Sequence, residues 1–176
     1  MKTYPCPEIT YRDKVLYIEK VSTLDLVEEF GTPLMCFSKK RLINNAEILS
    51  GSLKRNHKKT KVFYAYKANY LSPILHLFKA EGLGAEIISM FEIMMAETVG
   101  IAHEDIIFNG PGKTYEALVY AIKNNILLNA DSFSELEKIN RISKAHKTIT
   151  DIGIRVHLRN NKINRKNLFV PQRLSR

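Results

Sequence analysis

The stretch KVFYAYKAN, residues 61–69, decides the fold of this 176-residue chain. Its aromatic and β-branched side chains predict a strand over residues 61–67, and a helical pattern follows it. The same alternation recurs along the chain. The predicted strands end at Lys67, Ser89, Gly110, Ser132 and Arg155, which lie 22, 21, 22 and 23 residues apart. That period is one compact βα unit, so the pattern predicts a parallel sheet with right-handed crossovers.

One further strand is predicted at residues 33–38, PLMCFS, before an amphipathic helix that Ser38 caps. Six strands at an even period favour a (β/α)8-type barrel over an open, doubly wound sheet. A complete barrel needs about 250 residues. The 176 residues therefore predict a partial barrel of the α/β class, with about six of its eight strands. The first thirty residues do not follow the period and predict a short β segment in another structural layer.

The net charge of +9 is concentrated in two stretches, residues 39–61 with +7 and residues 144–176 with +8. Basic patches of this kind can bind nucleic acid. Residues 39–61, however, read as an amphipathic helix with lysines on its outer face. The last stretch has only Phe169 on which a base could stack. We therefore predict a solvated face and a basic loop, and no nucleic-acid partner.

Other classes of protein are disfavoured by simple patterns. No apolar run approaches the roughly 20 residues of a membrane span, and the first residues lack the apolar core of a signal peptide. A cytoplasmic location without membrane contact is the expectation. The two cysteines form no CxxC pair and the five histidines never fall at HExxH spacing, so no metal site is predicted.

Polar side chains follow the predicted strands at the edge where barrel sites collect. They include Lys67, Glu86, Asn109, Asp131 and Arg155. The lysine ends a strongly apolar strand, so its amine is expected to be partly desolvated and to be a better nucleophile toward a carbonyl. A Schiff-base lysine is one interpretation, and an ordinary solvated surface lysine is the other.

The sequence GPGKT, residues 110–114, lies between a predicted strand and a predicted helix and is similar to the end of a phosphate-binding loop. That motif requires glycine at position 107, which holds isoleucine. We predict a structural turn there.

The chain resembles the N-terminal part of the fold type III, alanine-racemase-like, pyridoxal-phosphate-dependent decarboxylases of the ornithine/diaminopimelate/arginine decarboxylase family. Six motifs in family order, across about residues 28–158, carry the resemblance. They are FGTPL (30–34), YAYKAN (64–69), GLGAEIIS (82–89), FNGPGK (108–113), NADS (129–132) and GIRV (153–156). The KAN after Tyr66 is most similar to the branch that acts on diaminopimelate.

The resemblance implies a cofactor, pyridoxal 5'-phosphate, bound covalently by Lys67. It also implies that Glu86 and Arg155 line the cofactor pocket. Glu86 stands where the family usually has aspartate, and the family's SGGE is SMFE here, residues 89–92. The implied reaction is amino-acid decarboxylation, with meso-diaminopimelate converted to lysine. The alternatives are ornithine, arginine or carboxynorspermidine as substrate, or a degenerate, non-catalytic pyridoxal-phosphate-binding protein.

The resemblance also implies a domain organisation. Residues 1–30 would join a β-domain that is missing here, residues 31–158 would form the partial cofactor-binding barrel, and residues 159–176 would be a basic, loop-like tail where the similarity stops. The family's phosphate-binding glycine loop, its ring-stacking histidine and its proton-donating cysteine belong to a second half. The expectation is thus an N-terminal fragment, inactive alone, of an enzyme that is a homodimer at full length.

Overall fold

The computed structural model describes residues 8–156. The chain divides into two compact units, Met1–Lys58 and Lys59–Arg176. The expected domain boundary after residue 30 stays a prediction, and the expected tail at residues 159–176 lies outside the described residues.

The first unit begins with a three-stranded antiparallel sheet in the order β1 (Ile9–Arg12), β2 (Val15–Ile18) and β3 (Val21–Ser22). Asp13 and Lys14 join the first two strands, and both have positive φ, 47° and 67°. Two consecutive positive-φ residues form the hairpin turn whose twist matches that of the flanking strands. The predicted β segment is therefore present as a hairpin with a third strand.

Two helices complete the first unit, α1 (Thr23–Phe30) and α2 (Lys39–Asn56). Each begins at a serine whose hydroxyl oxygen accepts a backbone N–H of the first turn. Ser22 accepts from Leu24 at 3.1 Å, and Ser38 accepts from Arg41 at 3.0 Å. The cap predicted at residue 38 is confirmed.

Residues 33–38 form no strand, which corrects the prediction of six strands. A strand requires backbone N–H and C=O groups that pair with a neighbouring strand, and these residues form no such ladder. Their apolar side chains are exposed, with Met35 at 79%. A short apolar run does not by itself distinguish a strand from an extended loop.

The second unit holds a five-stranded parallel sheet. Its strands are β4 (Phe63–Ala65), β5 (Gly84–Ile87), β6 (Ile106–Phe108), β7 (Leu127–Ala130) and β8 (Ile152–Ile154). They lie side by side in chain order, β4-β5-β6-β7-β8. A doubly wound sheet reverses its strand order at a switch point, whereas a (β/α)8 barrel never does. The unreversed order confirms the prediction of a partial barrel.

One helix follows each of the first four strands. These helices are α3 (Ser72–Ala80), α4 (Met90–Thr98), α5 (Tyr115–Lys123) and α6 (Phe133–Ala145). Their apolar faces cover one face of the sheet and form the core, in which Phe108, Ile87, Ile93, Leu118 and Leu128 are fully buried. Each such side chain stabilises the fold by about 1.5–3 kcal/mol. Within residues 8–156, no helix combines the length and the apolar character needed to cross a membrane.

The first four strands of the parallel sheet end two residues before the predicted positions, at Ala65, Ile87, Phe108 and Ala130. The last two predicted residues of each strand leave the ladder and enter the following loop. The predicted ends, Lys67, Ser89, Gly110 and Ser132, therefore belong to the loops at the carboxyl edge of the sheet.

Candidate active site

A cavity of about 570 Å³ opens at the carboxyl ends of the parallel strands. This volume lies within the range of about 300–1,000 Å³ typical of small-molecule sites. The residues that line it are Lys67, Glu86, Ile88, Asn109, Gly110, Pro111, Asn129, Ile154 and Arg155. All three predicted site residues, Lys67, Glu86 and Arg155, therefore face one cavity.

The alternation of side chains along the strands explains which residues reach the cavity. In β5, Ala85 and Ile87 are fully buried in the core, so Glu86 between them points to the opposite face. In β7, Leu128 and Ala130 are in the core, and Asn129 between them lines the cavity. In these two strands, one polar residue between buried apolar neighbours thus lines the cavity.

Lys67 lies in a short 3-10 turn, Tyr66–Ala68, directly after β4. Tyr66 anchors the turn, since it is only 2% exposed and its burial raises the pKa of the phenol to about 12. Lys67 itself is exposed, which corrects the expectation of a partly desolvated amine. The strand ends at Ala65, so Lys67 lies beyond the hydrogen-bonded part of the apolar strand. Among residues 8–156 its amine has no hydrogen-bond or ion-pair partner, which leaves it free toward the cavity.

Glu86 is held by a chain of side-chain amides that crosses three strands. Asn129 donates from Nδ2 to Oδ1 of Asn109, and Asn109 donates from Nδ2 to Oε1 of Glu86 at 2.8 Å. Both amides point in the same direction, so each hydrogen bond polarises the next. A carboxylate can accept several hydrogen bonds, so Glu86 retains acceptor capacity for a ligand in the cavity.

Arg155 follows β8 and is fixed by two contacts. Its backbone N–H donates to the carbonyl of Ala130 at 2.9 Å, and its Nη1 donates to Oδ1 of Asp131 at 3.2 Å. The Arg155 side chain is 60% exposed, while that of Asp131 is 12% exposed. Oδ2 of Asp131 is buried and has no partner among the described residues. The guanidinium therefore keeps most of its donors for other groups.

The loop predicted as a structural turn, residues 110–114, is one. Lys113 points into the protein, and its side chain is fully buried. Its Nζ donates to the carbonyl of Gly110 at 2.7 Å, to the carbonyl of Asn129 at 2.9 Å and to Oε2 of Glu135 at 3.0 Å. A phosphate-binding lysine would instead extend out of its loop toward a ligand.

Two helix starts beside the cavity are built in the same way. At α4, Ser89 accepts from the N–H of Glu92 at 3.3 Å, and Glu92 accepts from the N–H of Ile88 at 2.6 Å. At α6, Ser132 accepts from Glu135 at 3.2 Å, and Glu135 accepts from Asp131 at 2.9 Å. Both are variants of the capping box, in which the glutamate accepts from the N–H of the residue before the cap and not from the cap's own N–H. The bulky residues of SMFE, 89–92, leave this arrangement intact.

Sequence reasoning missed Asn129 in the lining of the cavity, and it missed the buried pair of Lys113 and Glu135, whose lysine donates to the Asn129 carbonyl. Two signals were available. A polar residue between buried neighbours marks position 129, and the S-x-x-E spacing from Ser132 marks position 135. No local signal marks Lys113, because its partners lie 16 and 22 residues away in the chain.

Comparison with known proteins supports the resemblance. The family model described as pyridoxal-dependent decarboxylase, pyridoxal binding domain, matches residues 39–168. The diaminopimelate decarboxylase of Aquifex aeolicus is 34% identical over 152 residues, which cover 86% of this chain and 35% of that protein. The diaminopimelate decarboxylase of Methanocaldococcus jannaschii is 32% identical over 154 residues, which cover 85% and 35%.

Solved structures agree with the sequence matches. The crystal structure of the Methanocaldococcus jannaschii diaminopimelate decarboxylase superposes with a TM-score of 0.77 at 30% identity and covers 92% of this chain and 38% of that one. A crystal structure from Aquifex aeolicus gives a TM-score of 0.75 at 33% identity and covers 84% and 36%. The chain thus spans about a third of the length of the relatives it matches.

The family match covers the five parallel strands and the cavity at their carboxyl ends. It confirms the predicted cofactor, pyridoxal 5'-phosphate, and the predicted family. The chain belongs to the pyridoxal-dependent decarboxylases, whose pyridoxal-binding domain it carries at residues 39–168.

Proposed function

We propose that this chain supplies the cofactor-binding face of an amino-acid decarboxylase, with Lys67 as the cofactor lysine and Glu86 and Arg155 as cofactor-contacting residues. One observation carries the proposal. An amine, a carboxylate and a guanidinium, from three separate segments of the chain, line the same cavity. The matching relatives are named diaminopimelate decarboxylases.

The chemistry of these side chains fits pyridoxal 5'-phosphate. A primary amine binds an aldehyde carbon, and a carboxylate pairs with a protonated pyridine nitrogen. A guanidinium binds carboxylates and phosphates through paired N–H donors. The cavity volume of about 570 Å³ suits a ligand of that size.

Each residue has a distinct role in the proposed reaction. Bound pyridoxal 5'-phosphate supplies an electron sink for the electrons left when a substrate loses its carboxylate. Lys67 Nζ would hold the cofactor covalently at its aldehyde carbon. Glu86, oriented by Asn109, accepts a hydrogen bond from the ring nitrogen. Arg155, held by Asp131, binds an anionic group at the same rim.

Covalent labelling tests the role of Lys67. Pyridoxal 5'-phosphate is added, borohydride makes any lysine–pyridoxal bond permanent, and peptide mapping locates the label. We expect the label at Lys67 and its loss in Lys67→Ala. The matched control is Lys61→Ala, because Lys61 lies before the opposite end of the same strand and pairs with Asp105. A label that survives Lys67→Ala would contradict the assignment.

The proposed substrate is meso-diaminopimelate, with lysine and CO2 as products. A panel of meso-diaminopimelate, ornithine, arginine and carboxynorspermidine, tested on the full-length protein that contains this chain, measures CO2 release from each. We expect the highest kcat/KM for meso-diaminopimelate. A higher kcat/KM for another member of the panel would reassign the substrate and leave the decarboxylase class intact.

The remaining expectations belong to the same proposal. At full length the enzyme is a cytoplasmic homodimer that binds no nucleic acid, and residues 1–30 contribute to a β-domain. Light scattering of the full-length protein measures the dimer directly, and a monomer mass would reject it. Salt-dependent retention on random DNA would instead support binding through the basic residues at 39–61.

A further inference from the structure

Lys113 is a charged residue placed where the proposed function has given it no role. Its ammonium carries three N–H donors, and all three are used inside the protein, on the carbonyls of Gly110 and Asn129 and on the carboxylate of Glu135. Its Nζ also lies 5.4 Å from the centre of the Phe108 ring. No part of the Lys113 side chain is exposed, and that of Glu135 is 8% exposed.

Two of the three acceptors belong to residues that line the cavity. Gly110 follows β6 and Asn129 lies in β7, so the ammonium ties together the carboxyl ends of two neighbouring strands. Asn129 also starts the amide chain that runs through Asn109 to Glu86. Lys113 therefore fixes the backbone from which that chain begins.

A purely structural turn would not need this arrangement. Taking an ammonium and a carboxylate out of water costs several kcal/mol per ion, and well-packed apolar residues often stabilise such a position as well or better. Unlike apolar packing, the lysine of the ion pair forms directional hydrogen bonds. Its donors hold two specific carbonyl oxygens at fixed positions beside the cavity.

We infer that Lys113 is a positioning residue that sets the orientation of the Glu86 carboxylate through Asn129 and Asn109. The inference rests on the proposed role of Glu86 toward the ring nitrogen. The lysine of GPGKT, residues 110–114, thus donates to carbonyl groups of the protein itself. In this inference it affects the cofactor only through Asn129, Asn109 and Glu86.

The test uses a double variant that leaves no buried charge unpaired, so that the protein still folds. Lys113→Met alone would leave Glu135 buried without a countercharge, so Glu135→Gln is added. The glutamine keeps an acceptor for the N–H of Asp131. Asn109→Ala interrupts the amide chain and leaves Lys113 in place. Lys123→Met is the matched control, because Lys123 is an exposed lysine at the end of α5.

Three measurements follow the chain of contacts. Side-chain amide NMR signals of Asn109 and Asn129, recorded without cofactor, report the amide chain itself. The Kd for pyridoxal 5'-phosphate reports the site. The absorbance spectrum of bound cofactor reports the protonation of its ring, and Glu86→Gln provides the reference change.

In Lys113→Met/Glu135→Gln we expect both amide signals to move and the Kd to rise about tenfold, the effect of losing one charged hydrogen bond. The spectrum should change in the same direction as in Glu86→Gln. Adding Asn109→Ala should raise the Kd no further, because both changes interrupt one chain. Lys123→Met should match the wild type in all three measurements.

The inference is overturned if the Lys113 variant keeps the wild-type amide signals, or if its effect and that of Asn109→Ala multiply in the Kd. Failure of the proposed function looks different, since the wild-type protein would then bind no cofactor. In that case the amide signals alone decide the inference: displaced signals uphold it and unchanged signals overturn it.

Discussion

Tyr66 and Lys67 are adjacent residues with opposite surroundings. The phenol is buried at 2% exposure and the lysine is exposed at the cavity. The short 3-10 turn after β4 explains the contrast, since it packs the Tyr66 side chain into the core and leaves Lys67 outside it. Packing of Tyr66 in the core therefore fixes the backbone at Lys67, while the amine of Lys67 stays free to bind a ligand.

The raised pKa of Tyr66 predicts how stability depends on pH. Burial disfavours the phenolate, so the folded pKa of about 12 lies above the ordinary tyrosine pKa of 10.0. The contribution is fully present below pH 10 and is lost as the pH rises toward 12. Tyr66→Phe should keep the wild-type stability at pH 7 and show a smaller decrease between pH 10 and 11.

Urea unfolding of both proteins at several pH values measures this difference. Tyr115→Phe is the control, because Tyr115 is 59% exposed. An unchanged pH dependence in Tyr66→Phe would show that the phenol is solvated in the folded chain.

At the scale of elements, the βα period predicted from the sequence is confirmed, because apolar strands and amphipathic helices are local patterns. The error at residues 33–38 arose where a strand depends on a partner that no local pattern reveals. The same limit applies to the site. Lys67, Glu86 and Arg155 are visible as polar residues within or just after apolar strands, whereas the contacts of Lys113 join residues 16 and 22 positions apart.

The two capping boxes allow a comparison between similar elements. Glu92 and Glu135 are equally buried, at 5% and 6% exposure, and each accepts a backbone N–H before its helix. Only Glu135 also faces a lysine. Glutamine can replace the acceptor role of either residue but not the charge opposite Lys113.

We therefore expect Glu92→Gln to destabilise the protein by less than about 1 kcal/mol, and Glu135→Gln to destabilise it by about 3–5 kcal/mol, since the buried ammonium loses its countercharge. Urea midpoints at constant m value measure both changes. Equal losses would mean that the ion pair adds nothing beyond the cap.

At the scale of the whole molecule, the described lining of the cavity comes from the parallel sheet and the loops that follow its strands. The parallel sheet of the described residues ends at β4 and β8, and Arg155 after β8 is 60% exposed. The chain spans about a third of the length of its relatives. A decarboxylase must hold the cofactor and exclude water around the carbon that loses CO2. The described lining of the cavity includes the lysine and the carboxylate of the proposed site.

We predict that the purified 176-residue chain releases no detectable CO2 from meso-diaminopimelate, although Lys67 still takes up the cofactor label. The physical reason is that one imine-forming amine can hold an aldehyde, whereas catalysis requires an enclosed and oriented ring. The relative from Aquifex aeolicus serves as the positive control in the same assay. CO2 release that disappears in Lys67→Ala would contradict the prediction, because contaminating enzyme would be unaffected by that substitution. It would show that this 176-residue chain is enough for the reaction.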